Sequence, residues 1–565
     1  MNLNLKAKQA NTYDAIVVGT GISGGWSAKE LTERGLNTLV LERGRNVEHL
    51  KDYPTMYKDP WELPRADRVP AEEAEHYQKQ MRTGYTIRES TKHWWIKDTD
   101  QPYEEDKRFD WIRGYHVGGR SLMWGRQSYR LSDIDFEANA KEGVAVDWPI
   151  RYADLKPWYD HVEKYAGISG EPLGLPQLPD SIFQPAMELN CVEEHLRESM
   201  MEAFNRTLTI GRVANLTQPI GERGRCMHRN LCMRGCPYGA YFSSNAATLP
   251  SAQKTGNMTL RPHSIVTQVL YDDATGKASG VLVVDAETGE THEFFSKVIF
   301  LNASAIASTA ILLNSRSDRF PDGMGNDSGE LGHNLMDHHF RVGAEGEIDG
   351  YEDRYYYGRR PNGFYIPRYR NLGNENRNYL RGFGYQGSAS RHGWQRGVRE
   401  LAIGSELKEL VSKPGGWRLG MTAFGEMLPD HSNRMYLNFD KTDKWGQPVV
   451  VFDCEFKENE FKMREDMKND AAEMLEAAGF KDIRTFDDPG GPGLGIHEMG
   501  TARMGRDPNT SVLNEWNQVH AVPNVFVTDG ASFTSAACQN PSLTYMALSA
   551  RAANYAADQL EKGEL

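Results

Sequence analysis

The stretch YDAIVVGTGISGGWSAKELTERGLNTLVLERG, residues 13 to 44, constrains this chain more than any other. AIVVG is an apolar, β-branched run of the kind buried in a parallel sheet. SGGWSAKELTERG has helical character and closes on Gly35, a C-cap residue. NTLVLERG reads as a second strand, so the segment predicts a βαβ unit. Between strand and helix stand Gly19, Gly21 and Gly24, with Ser23 inside the pattern G-x-G-x-x-G, and Glu42 ends the second strand 23 residues after Gly19. The first glycine permits the tight turn, the second lets backbone approach a pyrophosphate, and the third allows close helix–strand packing. The helix N-terminus then turns its dipole and free N–H groups toward phosphate, and Glu42 can accept from an adenosine ribose. The pattern predicts a dinucleotide site without separating NAD from FAD.

A chain of 565 residues exceeds one compact core and implies two or three domains, or one with large insertions. Its net charge of −13 argues against nucleic acid as a partner, since phosphate binding wants clustered Lys and Arg. MNLNLKAKQANTYD has no apolar h-region and no twin arginine, so no export signal is visible there. The uncharged run VIFLNASAIASTAILLNS (298 to 315) is broken by polar residues and predicts a buried strand, a tight turn and a helix, not a membrane span.

Residues 45 to 110, polar and aromatic with five prolines, predict a long surface excursion acting as a lid or interface arm. Residues 258 to 300 alternate as a meander. Between 335 and 480 the chain is rich in Tyr, Arg, Gly and Trp, and α/β texture returns with NVFVTDGASF and the apolar-striped SLTYMALSARAANYAADQLEKG. The expected fold class is α/β. A discontinuous Rossmann-like domain covers 1–335, with the cysteine loop 222–240, an antiparallel-sheet substrate domain covers 336–480, and 481–565 returns to the first domain.

Several ordered motifs along nearly the whole chain resemble the glucose–methanol–choline (GMC) flavoprotein oxidoreductases. These are the N-terminal fingerprint, VGGRSLMWGR (117 to 126), DWPIRYADLKPWYD (147 to 160), LGHNLMDHH (331 to 339), GIHEMGTARMG (495 to 505) and NVFVTDGASFTSAACQNPSLTYMALSARAANYA. The resemblance implies FAD, with His497 facing the flavin as catalytic base and Asn540, in the NP block with Pro541, as its partner. Those residue types suit the chemistry. Oxidising an alcohol moves a hydride from carbon while the hydroxyl proton leaves, and a neutral imidazole is a natural acceptor for that proton. Asn540 can bond the same oxygen without adding charge. The plain alternatives are a core histidine and a turn-forming Asn. The resemblance also implies FAD contacts at Gly119, Ser121, Trp124, Asp529 and Gly530, and a backbone contact of Val266 with the adenine part. Some relatives bond FAD covalently through a histidine near the end of the GGRSLMWGR block. Met123–Trp124 stand there instead, which implies non-covalent FAD.

Of six cysteines, Cys226, Cys232 and Cys236 crowd into CMHRNLCMRGCP, residues 226 to 237. A disulfide would leave one over, zinc would need His228 as a fourth ligand, and a buried free trio is a third reading. The fourth is an iron–sulfur cluster, for which thiolates at short spacing in a Gly/Pro-rich loop are suited, and three of them point to [3Fe–4S] or to a [4Fe–4S] with a non-cysteine fourth ligand. The spacing is similar to that of bacterial FAD sugar dehydrogenase catalytic subunits, which carry a cluster there and pass electrons to a cytochrome. That resemblance implies a dehydrogenase acting on a sugar secondary ring hydroxyl, C3 of a glucoside, with glucose 1-dehydrogenase and gluconate 2-dehydrogenase as alternatives. It also implies a small signal-bearing subunit and hence the periplasm, with a cytoplasmic enzyme as the other reading. A dioxygen-using oxidase and a non-enzymatic flavin scaffold are the rivals. Tyr355, Tyr356, Tyr357, Arg359, Arg360, Tyr365 and Trp394 are candidates for stacking on a sugar or for ordinary domain surface.

Overall fold

The computed structural model describes residues 11–355, 361–373, 375–393 and 403–565. The fingerprint segment forms the strand Thr12–Val18, the helix Ile22–Glu33 and the strand Thr38–Leu41. Both strands are buried toward their C-terminal ends, as apolar runs covered on two faces must be. They pair in parallel, and the sheet continues in parallel with Met258–Arg261 on one side and with Thr291–Leu301 and Val522–Val527 on the other. The predicted meander is therefore divided. Met258–Arg261 joins the parallel sheet, whereas Ser264–Asp272, Lys277–Asp285 and Thr291–Leu301 run antiparallel. The run at 298–315 is the end of Thr291–Leu301, a turn and the helix Ala305–Asn314. The helix Ser542–Lys562 packs on Ile22–Glu33, so the chain's two ends close one layer.

A second sheet is antiparallel and contains Val342–Ile348, Phe364–Ile366, Phe383–Arg391, Trp417–Glu426 and Lys481–Asp487. It also recruits Thr209–Ile210. The helix Glu458–Ala477 covers it, burying Met463, Met467, Ala471 and Met474 in a core separate from that of the first sheet. The strands Arg434–Thr442 and Pro448–Asp453, inside the span expected for the substrate domain, belong to neither sheet. They form a small sheet with Glu104–Glu105, and its core includes Ile306 of the helix Ala305–Asn314.

The excursion 45–110 is built mainly of short 3₁₀ turns, with the α-helical turn Ala71–Ala74 and the strand Glu104–Glu105, and is partly an interior element. Trp94 and Trp95 are buried with Tyr53, Met56 and Leu249. Trp94 donates its indole N–H to the Met233 carbonyl at 2.9 Å, which ties the excursion to the cysteine loop. Among the described residues, no helix is long and apolar enough to cross a membrane.

Candidate active site

A cavity of about 420 Å³ joins the fingerprint turn to the C-terminal blocks. Gly19, Thr20, Gly21, Glu42 and Val266 line it together with Asp529, His497 and Asn540. The glycines behave as their spacing requires. Gly19 sits at φ +97°, where a Cβ would collide with the Asn302 carbonyl, and a Cβ on Gly24 would collide with the Gly19 carbonyl oxygen. Nothing lies within 4 Å of a Cβ on Gly21, which leaves that backbone open to a ligand. Gly119, at φ +48°, rests against Gly21, and Gly118 N–H donates to Thr20 Oγ1 at 2.9 Å. The GGRS block and the fingerprint are thus one wall.

Glu42 is buried, which raises its pKa. Its carboxylate accepts from the Thr20 hydroxyl, from Thr20 N–H at 3.2 Å and from Gly44 N–H at 2.9 Å. Carboxylate lone pairs remain for a ribose. Ser23, Ser121, Trp124 and Gly530 line the same cavity. Trp124 donates its indole N–H to the Phe242 carbonyl at 2.8 Å. Asp529 accepts from Ser308 Oγ at 2.6 Å and from Ala531 N–H at 3.0 Å, and burial pushes its carboxyl up to about 6. Trp95 Nε1, Asn302 Oδ1 and Tyr545 Oη, all at the lining, are buried without a hydrogen-bond partner. Buried polar groups are normally satisfied, so these atoms, the open Gly21 and the helix N-terminus fit an elongated polar cofactor. Two expected contacts lie elsewhere. Gly24 is a packing residue, and Pro541 precedes the helix Ser542–Lys562 outside the lining.

His497 and Asn540 both line the cavity. His497 Nδ1 is 2.8 Å from His338 Nδ1, and His338 Nε2 is 2.8 Å from the Ala537 carbonyl oxygen. A carbonyl only accepts, so His338 carries its proton on Nε2. Burial takes the His338 pKa down to about 4, leaving Nδ1 as a lone pair. His497 must therefore donate from Nδ1, and its Nε2 is the basic nitrogen. Burial, then His338 and Arg120, hold His497 well below the ordinary imidazole pKa.

The backbone carrying His497 is fixed by Asp337, whose carboxylate accepts from the N–H groups of Gly493 at 2.7 Å, Gly495 at 2.8 Å and His497 at 3.1 Å. Burial, then Glu498, raises that carboxyl to about 7. Glu498 pairs bidentately with Arg120 at 3.0 and 2.7 Å. Asn540 Oδ1 accepts from Gln386 Nε2 at 2.6 Å, which leaves Nδ2 as its donor. One nitrogen lone pair and one amide N–H thus line one cavity, the pair an alcohol O–H needs.

The cysteine loop lies outside this cavity. Burial, and then the neighbouring Cys232 and Cys236, push the Cys226 thiol up, so the three thiols share one electrostatic neighbourhood. They are free thiols, and among the described residues no three His, Cys, Asp or Glu side chains form a group able to hold a metal. Three buried arginines surround the loop, and none forms an ion pair among the described residues. Arg126 donates to Asn215 Oδ1 and the Trp124 carbonyl, Arg223 to the Tyr165 and Ala166 carbonyls, and Arg234 to those of Thr55 and Lys58. A second cavity, about 1240 Å³, is lined by His228, Cys232 and Arg234 and meets the first at Tyr85, Arg126 and Asn362.

Of the candidates for sugar stacking, Tyr355 lines the second cavity. Tyr365 is a buried core ring stacked on Tyr129 with centroids 4.1 Å apart. Tyr356, Tyr357, Arg359, Arg360 and Trp394 lie outside the described residues. Sequence reasoning quoted LGHNLMDHH without giving Asp337 or His338 a role, and it passed over Gln127, Gln386 and Arg120. The signal for the first two was a carboxylate and two imidazoles in direct succession at the end of that segment.

Residues 13–340 match the N-terminal part and residues 429–549 the C-terminal part of the family described as GMC oxidoreductase. The chain is 28% identical to the 2-methyl-1,2-propanediol dehydrogenase of Mycolicibacterium austroafricanum, covering 97% of this chain and 95% of that one. It is 25% identical to the fructose dehydrogenase large subunit of Gluconobacter japonicus (97% and 98%) and 24% identical to the gluconate 2-dehydrogenase flavoprotein of Pantoea cypripedii (95% and 92%). Among solved structures, pyridoxine 4-oxidase from Mesorbium loti superposes with a TM-score of 0.60 at 16% identity, over 96% of this chain and 98% of that one, and so shares the fold. With both parts of the family pattern met in order along one chain, and with the fingerprint turn, imidazole and amide around one cavity, the protein belongs to the GMC oxidoreductases.

Proposed function

We propose that the protein is an FAD-dependent dehydrogenase that oxidises a secondary ring hydroxyl of a sugar, C3 of a glucoside, with FAD held non-covalently. The observation that carries this reading is the pairing of the His497 Nε2 lone pair with the Asn540 Nδ2 donor in the cavity of the dinucleotide fingerprint. FAD supplies the two-electron acceptor when bound. His497 takes the hydroxyl proton on Nε2, and its Nδ1–H bond to His338 keeps that nitrogen free. Asn540 bonds the same oxygen and orients the carbon–hydrogen bond. Gln127, Asn362 and Gln386 share the lining, and amides that both donate and accept match the alternating hydroxyls of a sugar ring. Relatives named for a diol, fructose and gluconate support a polyol substrate.

The electron exit belongs to the same proposal, with an iron–sulfur cluster on Cys226, Cys232 and Cys236 serving a cytochrome-type acceptor. Its support is the donor set and its surroundings. Buried charges are costly unless paired, and buried Arg126, which has no carboxylate at ion-pair distance, lies close enough to Cys226 to favour its thiolate. The cluster would supply one-electron transfer.

The test is anaerobic titration of the holoenzyme with methyl glucoside, glucose, gluconate and 1,2-propanediol, with iron and acid-labile sulfide measured on the same sample. Loss of flavin absorbance with the glucoside, a 3-keto product by NMR and about three irons per chain are expected. Bleaching by another member of the panel moves the substrate. Stoichiometric hydrogen peroxide in air with iron-free protein overturns the dehydrogenase in favour of an oxidase.

A further inference from the structure

Asn540 poses a problem that its position alone does not solve. An amide side chain has a donor end and an acceptor end of nearly the same shape, and a half-turn about its last torsion exchanges them without steric cost. Only one orientation suits an alcohol facing His497. With Nδ2 inward, the substrate oxygen accepts an N–H while its proton goes to Nε2. With Oδ1 inward, two acceptors face one hydroxyl, and the amide oxygen opposes the negative charge that develops as the proton leaves.

The partner of Asn540 does not resolve the choice, because it is another amide. Gln386 Nε2 donates to Asn540 Oδ1 at 2.6 Å, and Gln386 Oε1 accepts from Gln127 Nε2 at 3.0 Å. Three amides in series have two self-consistent polarities, and only the far end of the series can select between them. That end is Tyr129, fully buried, whose hydroxyl donates to Gln127 Oε1 at 2.6 Å. A hydroxyl accepts as readily as it donates, so its own surroundings decide. Gln127 Oε1 is the hydrogen-bond partner of the Tyr129 hydroxyl, and the positive charge and backbone of neighbouring Arg212 favour negative charge on the phenol oxygen. With positive potential on its oxygen side, the phenol turns its proton toward Gln127. The Tyr365 ring stacked on Tyr129 holds the phenol in place.

We infer that Tyr129, Gln127 and Gln386 form a polarity relay that fixes Asn540 with its N–H toward the substrate, which makes Gln386 and Tyr129 positioning residues for the reaction. The inference rests on the role proposed above for Asn540. It also links the two sheets at the chemistry, since Gln386 lies in the strand Phe383–Arg391 of the second sheet while Asn540 precedes the last helix on the first.

The decisive variant is Gln386→Glu in the flavin-loaded enzyme. The ionised carboxylate it introduces has nothing to donate, so Asn540 must turn Nδ2 toward it and present Oδ1 to the substrate. A kcat loss of about 100-fold at neutral pH is expected, the usual scale for removing one oriented donor, with flavin content and Tm unchanged. As pH falls and the new carboxyl gains a proton, it can donate to Oδ1 as Gln386 did, so kcat recovers toward the parent value. A structural defect would not show that pH signature. Tyr129→Phe provides the second measurement. It lowers kcat in the parent background and has no further effect on Asn540→Ala, whatever becomes of the Gln386→Glu enzyme. A Gln386→Glu enzyme within about threefold of parent, a loss independent of pH, or additive Tyr129→Phe and Asn540→Ala effects would each overturn the relay. If Asn540→Ala itself turns over normally, the role proposed for Asn540 fails instead, and the relay with it.

Discussion

His497 carries its proton on Nδ1 because His338 has only a lone pair to offer there, and His338 is so placed because Ala537 presents a carbonyl to its other nitrogen. The consequences for rate and for stability have opposite signs. In the role proposed above His497 works when neutral, so its function is present above its folded pKa and lost as pH falls through it. With that pKa held well below the ordinary value, kcat per folded enzyme stays level from pH 7.5 to about 6, where an unperturbed imidazole would already be titrating. A rate falling through an apparent pKa near 6.5 would contradict this. Stability moves the other way. At His338, His339 and His497, all buried with lowered pKa values, the unfolded chain binds more protons than the folded one below about pH 6.5, whereas the raised carboxyls of Asp337 and Asp529 bind protons first in the fold and oppose this. The histidine contribution is full above that range and declines as pH falls, by up to about 1.4 kcal/mol per histidine per pH unit. His339→Asn removes one such group, so the Tm of that holoenzyme should fall less than the parent's between pH 7 and 5, and an equal fall would refute it. The role of His497 itself is checked by His497→Ala, which lowers kcat by at least about 100-fold while retaining flavin.

At the scale of elements, the turn between the strand Thr12–Val18 and the helix Ile22–Glu33 is set by contact and not by flexibility. Gly24→Ala would drive a methyl into the Gly19 carbonyl, so the helix must shift off the strand. The variant loses most of its flavin after purification, and its stability falls by about 1–3 kcal/mol, the cost of overpacking. Flavin absorbance per protein and chemical denaturation measure the two effects, and retention of both would show that the turn has slack.

This element was legible in the sequence because all its determinants are local, with strand, turn, helix and second strand inside about thirty residues. That His497 and Asn540 line one cavity was legible for the same reason, each inside a short ordered motif. Their partners were not. His338 lies 159 residues from His497, Gln386 lies 154 from Asn540 and 259 from Gln127, and no periodicity marks a hydrogen bond between such positions. The division of the middle of the chain was obscured in a related way. Arg434–Thr442 and Pro448–Asp453 have the texture of any amphipathic hairpin, and their partner Glu104–Glu105 is two residues long. The excursion 45–110 looked polar by composition, yet its tryptophans Trp94 and Trp95 are core.

For the molecule as a whole, the cavity of His497 and the cavity beside the cysteine loop are separate and meet at Arg126, Tyr85 and Asn362. Damage to one should therefore leave the chemistry of the other intact. With Cys232→Ser, single-turnover reduction by the sugar under argon proceeds at the parent rate, while steady-state reduction of a cytochrome falls at least tenfold. Equal loss of both rates would show that the loop acts on substrate chemistry and not on electron exit.

The first sheet joins Thr12–Val18 to Val522–Val527 through Thr291–Leu301, and the first and last long helices close over it. A ribosome working at ordinary speed needs roughly half a minute to two minutes for a chain of this length. During most of that time the fingerprint strand has been made, but the strand Val522–Val527 beyond its partner has not, nor have His497 and Asn540, which complete the cavity lining. An early-made βαβ unit must wait with one flank uncovered, and flavin capture becomes an event of the finished chain. Truncation near the C-terminus should therefore produce aggregation during synthesis and not a soluble protein that merely lacks activity.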